Sequence, residues 1–193
     1  MRKFPLLSIM AFCGAIAASS PFAADINING LANTCNSCHG LGGFSVGPAN
    51  PSIGGQSADY LNKVMLEQRK GDRYSSVMGR LLKSYTDEEI AALADYYSRQ
   101  EWNAATQEKE LRLVMRGKRV HNMVCKKCHG AKDNKAKDES LRLAGQWAGY
   151  IQIVLNRYAD PKYKRPSDEM AEAVNSLTPE DIEAVAHFVA SNK

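Results

Sequence analysis

The chain repeats itself, and that constrains its fold more than any other feature. Cys35, Cys38, His39 and Gly40 recur as Cys125, Cys128, His129 and Gly130, an offset of 90 residues. Gly55-Gln56-Ser57-Ala58-Asp59-Tyr60 recurs at the same offset as Gly145-Gln146-Trp147-Ala148-Gly149-Tyr150. Beyond the tyrosines the offset becomes 92, so Met78 matches Met170 and Thr86-Asp87-Glu88-Glu89-Ile90 matches Thr178-Pro179-Glu180-Asp181-Ile182. The two extra residues are assigned to the turn-rich stretch 160–166, which replaces 70–73. A fixed period of this kind marks one structural unit built twice. The division is expected in the polar segment from Glu101 to Lys109, giving domains 25–102 and 103–193.

Each unit reads as helical. Thr86 with Glu89 three residues on has the pattern of a capping box, and Thr178 with Asp181 repeats it with Pro179 at the first helical position. Behind these caps, Ile90, Leu93, Ala94 and Tyr97 keep the spacing of one helix face, as do Ile182, Val185, Ala186 and Val189. Ser57 to Gln68 and Gly149 to Tyr158 read as middle helices. No segment alternates as a strand does, so the fold class is all-α. Domains this small bury little apolar surface by themselves and need a further core element.

The first residues set the compartment. Arg2 and Lys3 precede a largely apolar run from Phe4 to Ala18 and a small-residue stretch ending at Ala24, the layout of a signal peptide over 1–24. The apolar run is too short to span a bilayer, and nothing after Asp25 is long and apolar enough to do so. The expected location is the periplasm. Loss of that leader takes the formal charge from +4 to +2, a net charge too small to make a case for nucleic-acid binding.

Four cysteines then remain, as two Cys-x-x-Cys pairs each followed directly by His and Gly. Cysteines three apart on a helix share a face, so both sulfurs reach one porphyrin edge while the adjacent imidazole reaches the iron; the pattern reads as covalent haem attachment. Zinc ribbons separate their pairs by only about 15–20 residues. A redox disulfide of the thioredoxin kind needs a strand–helix setting that is missing, and a plain structural disulfide does not explain the repeated histidine. The expectation is two covalent haems c, at Cys35, Cys38 and His39 and at Cys125, Cys128 and His129. Met78 and Met170, eight residues before the matching threonines, are the expected opposite ligands, because a carrier keeps its iron six-coordinate and methionine raises its potential.

Other residues carry smaller expectations. Met65, Met115 and Met123 are expected to fill cores. Pro48 is a candidate to accept the His39 ring N–H on its carbonyl; the second unit has no equivalent proline. Tyr60 and Tyr150 are candidates to bond a haem propionate, or each other across the domain contact. Lys126 and Lys127 would flank an exposed haem edge and favour an acidic partner.

With these residues in hand, the chain resembles the cytochrome c4 family of di-haem cytochromes. Three stretches resemble more narrowly the di-haem cytochrome subunit of flavocytochrome c sulfide dehydrogenases: Ser45-Val46-Gly47-Pro48-Ala49-Asn50-Pro51-Ser52-Ile53, Val77-Met78-Gly79-Arg80-Leu81 and Leu143-Ala144-Gly145-Gln146-Trp147. The resemblance implies two class I cytochrome c folds related by an approximate two-fold axis, with propionates near the domain contact. It implies haem on Cys35, Cys38, Cys125 and Cys128, His39 and His129 as proximal ligands, and Met78 and Met170 as distal ones. It also implies a separate FAD-containing sulfide dehydrogenase partner and a soluble acceptor such as a small cytochrome c. A free cytochrome c4-like shuttle to a terminal oxidase is the alternative. A di-haem peroxidase or thiosulfate-oxidising enzyme would need an open iron, which two methionine ligands would close. This chain has no flavin fingerprint of its own.

Overall fold

The computed structural model describes residues 26–130 and 142–192; the expected leader, 1–24, lies outside them. The first unit comprises α1 (Ile28–His39), α2 (Ala58–Lys70), α3 (Met78–Leu81) and α4 (Asp87–Ser98). Residues 99–110 carry no helix and lead into the second. There α5 (Leu111–Val120) runs through a π-helical turn, His121–Cys125, into α6 (Lys126–His129), followed by α7 (Ala148–Ala159), α8 (Asp168–Asn175) and α9 (Pro179–Ser191). No strand occurs among the described residues. The protein is all-α.

Both closing helices start where the caps place them. Thr86 Oγ1 accepts from the Glu89 amide at 3.2 Å and Glu89 returns the bond to the Thr86 amide at 2.9 Å. Thr178 and Asp181 repeat the exchange at 3.2 and 3.3 Å. Each box satisfies two amides that a helix start leaves without partners. Ile90, Leu93, Ala94 and Tyr97 are buried as their spacing requires, and α4 joins Ala32 of α1 and Leu61 of α2 in a first core. Ile182, Val185, Ala186 and Val189 join Val120, Ile151, Leu155, Tyr158 and Val174 in a second.

The second core is tighter than a single amphipathic face predicts. Ala184 and Phe188 of α9 are buried too, because α5 lies directly on them. Gly117 permits this: a Cβ there would stand 1.9 Å from the Ala184 carbonyl oxygen. Helix α5 therefore turns Leu113, Gly117 and Val120 inward, and Met115 points away, 64 % exposed. Met123, in the π turn, is 77 % exposed. The expectation that these two methionines fill the core is thus corrected, whereas Met65 does pack against the first core.

The two units meet through a symmetric pair of hydrogen-bonded exchanges. Gln146 accepts from the Ser52 amide and donates to the Ser52 carbonyl, both at 2.9 Å. Gln56 accepts from the Arg142 amide at 2.9 Å and donates to the Arg142 carbonyl at 3.1 Å. Gln56 and Gln146 are repeat equivalents, and so are Ser52 and Arg142, so each unit offers the same glutamine to the same backbone position of the other. That is the signature of an isologous contact, here within one chain. Both glutamines are essentially inaccessible, at 1 % and 0 %. The Trp147 indole N–H adds a bond to the Ser45 carbonyl at 3.0 Å.

Losing either glutamine strands a buried amide and a buried carbonyl. Gln56→Ala and Gln146→Ala should each lower unfolding stability by about 1–3 kcal/mol. Paired denaturant titrations of the holoprotein check this. Equal losses are expected from the two variants, because the exchanges are equivalent.

Candidate haem-attachment sites

Helix α1 carries the first motif on its last turn. Cys35 packs half-buried against the first core beside Tyr97, and Cys38 is exposed. The Tyr97 hydroxyl donates to the Ala32 carbonyl at 3.0 Å, tying α4 to α1 one turn before Cys35. Burial raises the Cys35 thiol above its ordinary pKa, which keeps the sulfur protonated. None of the four described cysteines is in a disulfide.

His39 is buried, and its Nδ1–H donates to the Pro51 carbonyl at 2.8 Å. A carbonyl only accepts, so the bond fixes the tautomer that leaves Nε2 with a lone pair for a metal. Burial also lowers the His39 pKa, against the smaller opposite pull of the Pro51 bond; the neutral, ligating form is favoured. The expectation of Pro48 is corrected here. Gly40 ends α1 at φ 76°, and the Ile53 and Gly54 amides both close on the Gly43 carbonyl, at 2.8 and 3.1 Å. That loop carries Pro51 to His39. Pro48 instead abuts the other unit, where a Cβ on Gly149 would lie 3.0 Å from the Pro48 carbonyl oxygen.

In the second motif Cys125 ends the π turn and packs against the second core, in company with Tyr150 and Met170. Cys128 is exposed and His129 partly so. Residues 131–141, which follow, lie outside the described part of the chain. Met170 sits in the first turn of α8, its amide held by the Ser167 cap at 3.2 Å. Met78 opens the shorter α3 and is half-buried, but it is not among the side chains packed on the first core. α3 lies close on the end of α2, since a Cβ on Gly79 would meet the Gln68 carbonyl at 2.8 Å.

Nothing in the residue pattern singled out Arg73. Its guanidinium donates to the Tyr158 hydroxyl at 2.9 Å across the contact between units, and it lies 3.6 Å from Glu67. Its charge also reaches Tyr60 and Tyr150. Burial, the largest cause, pushes Tyr150 up to about 12 and Tyr60 well above the phenol range. Arg73 therefore sits between the Glu67 carboxylate and the domain contact, within reach of two phenols, Tyr60 and Tyr150, that burial keeps neutral. Beside it Tyr74 meets Tyr163 edge to face at 4.6 Å, with Arg157 over the Tyr74 ring at 4.5 Å. The paired thiols of each motif, neither in a disulfide, and in the first unit the oriented His39 imidazole fit covalent haem.

A family model described as cytochrome c matches residues 114–193. The cytochrome c-554(548) of Halomonas halodenitrificans is 39 % identical over 71 residues, covering 35 % of this chain and 86 % of that protein. The cytochrome subunit of sulfide dehydrogenase from Chlorobaculum tepidum is 42 % identical over 67 residues, 35 % of this chain. The chain spans 60 % of the length of that relative. A thiosulfate dehydrogenase electron acceptor of Thiomonas intermedia is 28 % identical over 206 residues, covering 99 % of this chain and 94 % of that one. The reduced cytochrome c4 of Pseudomonas stutzeri superposes with a TM-score of 0.76 at 22 % identity, over 86 % of this chain and 97 % of that one.

Fold and paired motifs together define an electron carrier of the c type, with covalently bound haem. The chain belongs to the cytochrome c family, and its fold is that of cytochrome c4.

Gly40 gives a direct check on the loop that orients His39. A Cβ there would fall 1.7 Å from the Phe44 carbonyl oxygen, at a φ that L side chains rarely adopt, whereas Gly71, at φ 83°, has open space around it. Gly71→Ala should cost about 1–2 kcal/mol, the backbone term alone. Gly40→Ala should cost clearly more and lower the haem content of the purified protein. Thermal unfolding and the pyridine haemochrome assay measure both.

Proposed function

We propose that the chain is a periplasmic electron-transfer subunit that takes electrons from a FAD-containing sulfide dehydrogenase partner. It passes them to a soluble acceptor such as a small cytochrome c. The observation that carries this reading is the 42 % identity to a sulfide dehydrogenase cytochrome subunit. In this reading the domains are 25–102 and 103–193. Cys35 and Cys38 hold one haem and Cys125 and Cys128 the other; His39 and His129 are proximal ligands and Met78 and Met170 distal ones. The bound haem supplies a one-electron couple. The protein's part is to orient the histidines, keep the cysteines available and hold the two sites at a fixed separation through Gln56 and Gln146. No helix among the described residues is long and apolar enough to cross a membrane.

A second reading, an electron acceptor for a thiosulfate dehydrogenase, is favoured by near-complete coverage of both chains in the match to such a protein. Co-expression separates the two. With an exported FAD protein, the cytochrome should co-purify at one to one and its haems should reduce on adding sulfide. Reduction by thiosulfate with a thiosulfate dehydrogenase, and none with sulfide and the flavoprotein, would select the second reading.

The ligand assignment has its own check. Intact mass should exceed the polypeptide by two haems that survive acid–acetone extraction. Met78→Ala and Met170→Ala should each remove about half of the weak sulfur-to-iron absorption of the oxidised protein, lower the potential of one haem, and open one reduced iron to carbon monoxide. An unchanged band in either variant would place a different side chain on that iron.

A further inference from the structure

The two haem-attachment helices come from one repeat but present opposite surfaces. Residues 26–40 contain no Asp, Glu, Lys or Arg, whereas residues 111–130 contain six basic residues and no acidic one. Two of the six are matched nearby: Arg116 with Asp181 at 2.9 Å and Arg112 with Glu110 at 3.2 Å. Glu169 lies within electrostatic reach of Lys127. Even so, Lys118, Arg119, Lys126 and Lys127 are all exposed and leave a positive surplus.

Set among these cations is apolar surface. Met115 and Met123 are exposed, and Met123 and Arg119 line a shallow hollow of about 460 Å³. The π turn carries this surface directly into Lys126, Lys127 and the exposed Cys128. Methionines left on the surface adapt to a partner's shape. An apolar centre ringed by charge of one sign suits a brief encounter, because the charge speeds and orients approach without a large buried area.

We propose that this face of the second unit docks an acidic electron-transfer protein, with Met123 and the Cys128 edge at its centre. Lys118, Arg119, Lys126 and Lys127 steer the approach. One electron leaves the reduced haem of the second unit for the partner's oxidised metal centre; no bond is made or broken. The proposal rests on the electron-transfer reading and adds the route of exit.

Stopped-flow mixing tests it with two probes of opposite charge. Reduced holoprotein is mixed with an oxidised acidic copper protein of the plastocyanin type, or with an oxidised basic cytochrome c of the mitochondrial type. With the acidic probe the second-order rate should fall at least about tenfold from low to high salt, the range that charge steering spans. Lys118→Gln/Arg119→Gln should lower the low-salt rate about fivefold with haem content unchanged, and Lys126→Gln/Lys127→Gln should do the same. Lys118→Glu/Arg119→Glu should shift preference toward the basic probe. A rate indifferent to salt, variants matching the wild type, or a faster reaction with the basic probe would overturn the docking face. So would failure of both probes while dithionite and ferricyanide still cycle both haems, a result that leaves the carrier reading standing. Haems that these reagents cannot cycle would instead overturn the carrier reading.

Discussion

The arrangement depends on two glutamines. Each unit is too small to bury much surface alone, and the contact between them is built from buried polar groups, which stabilise only when fully paired. Gln56 and Gln146 meet that condition by offering an amide oxygen and an amide nitrogen to the amide and carbonyl of one residue. Because the receiving positions, Ser52 and Arg142, are also repeat equivalents, one solution serves twice. The contact therefore has a single register. A slip of one residue would leave four buried groups unpaired.

This contact also sets what each half can do. The loop 40–54 reaches its destination on both sides at once: Pro51 orients His39 within its own unit, while Ser45, Pro48 and Ser52 engage Trp147, Gly149 and Gln146 of the other. Two of the stretches that resemble a dehydrogenase's cytochrome subunit, 45–53 and 143–147, are the two sides of that contact. Arg73 lies at the same seam among Tyr60, Tyr150 and Tyr158. Its charge reaches Tyr60 of one unit and Tyr150 of the other, and burial keeps both of those phenols neutral.

The two units share a framework but differ in core residues, Leu61 against Ile151 and Tyr97 against Val189, as well as at the surface. Both units keep the capped closing helix, the glycine after the motif histidine and the buried glutamine. They differ in the helix that carries the cysteines, neutral in one and basic in the other, and in the helix that carries the methionine, four residues in α3 against eight in α8. Exposed positions are free to answer to whatever binds there.

Much of this was legible in the sequence, because the signals are local. The repeat, the helix class, both capping boxes and the inward positions of α4 and α9 follow from spacing and from residues within one turn of each other. The cysteines and histidines follow from a motif whose chemistry is confined to five residues. What spacing does not contain is which distant segment arrives where. Pro51 rather than Pro48 reaches His39 because Gly43 closes a loop on Ile53 and Gly54. Met115 and Met123 face outward because Gly117 lets α5 press its other side onto α9. Arg73 became a centre of the domain contact only when a residue 85 positions later came within hydrogen-bond distance. The repeat and the turns that carry the CxxCH motifs were already written in the order of residues, since those energies are local. Tertiary structure decided the second partners of those residues, because such pairings depend on closing long loops against a surface that exists only after folding.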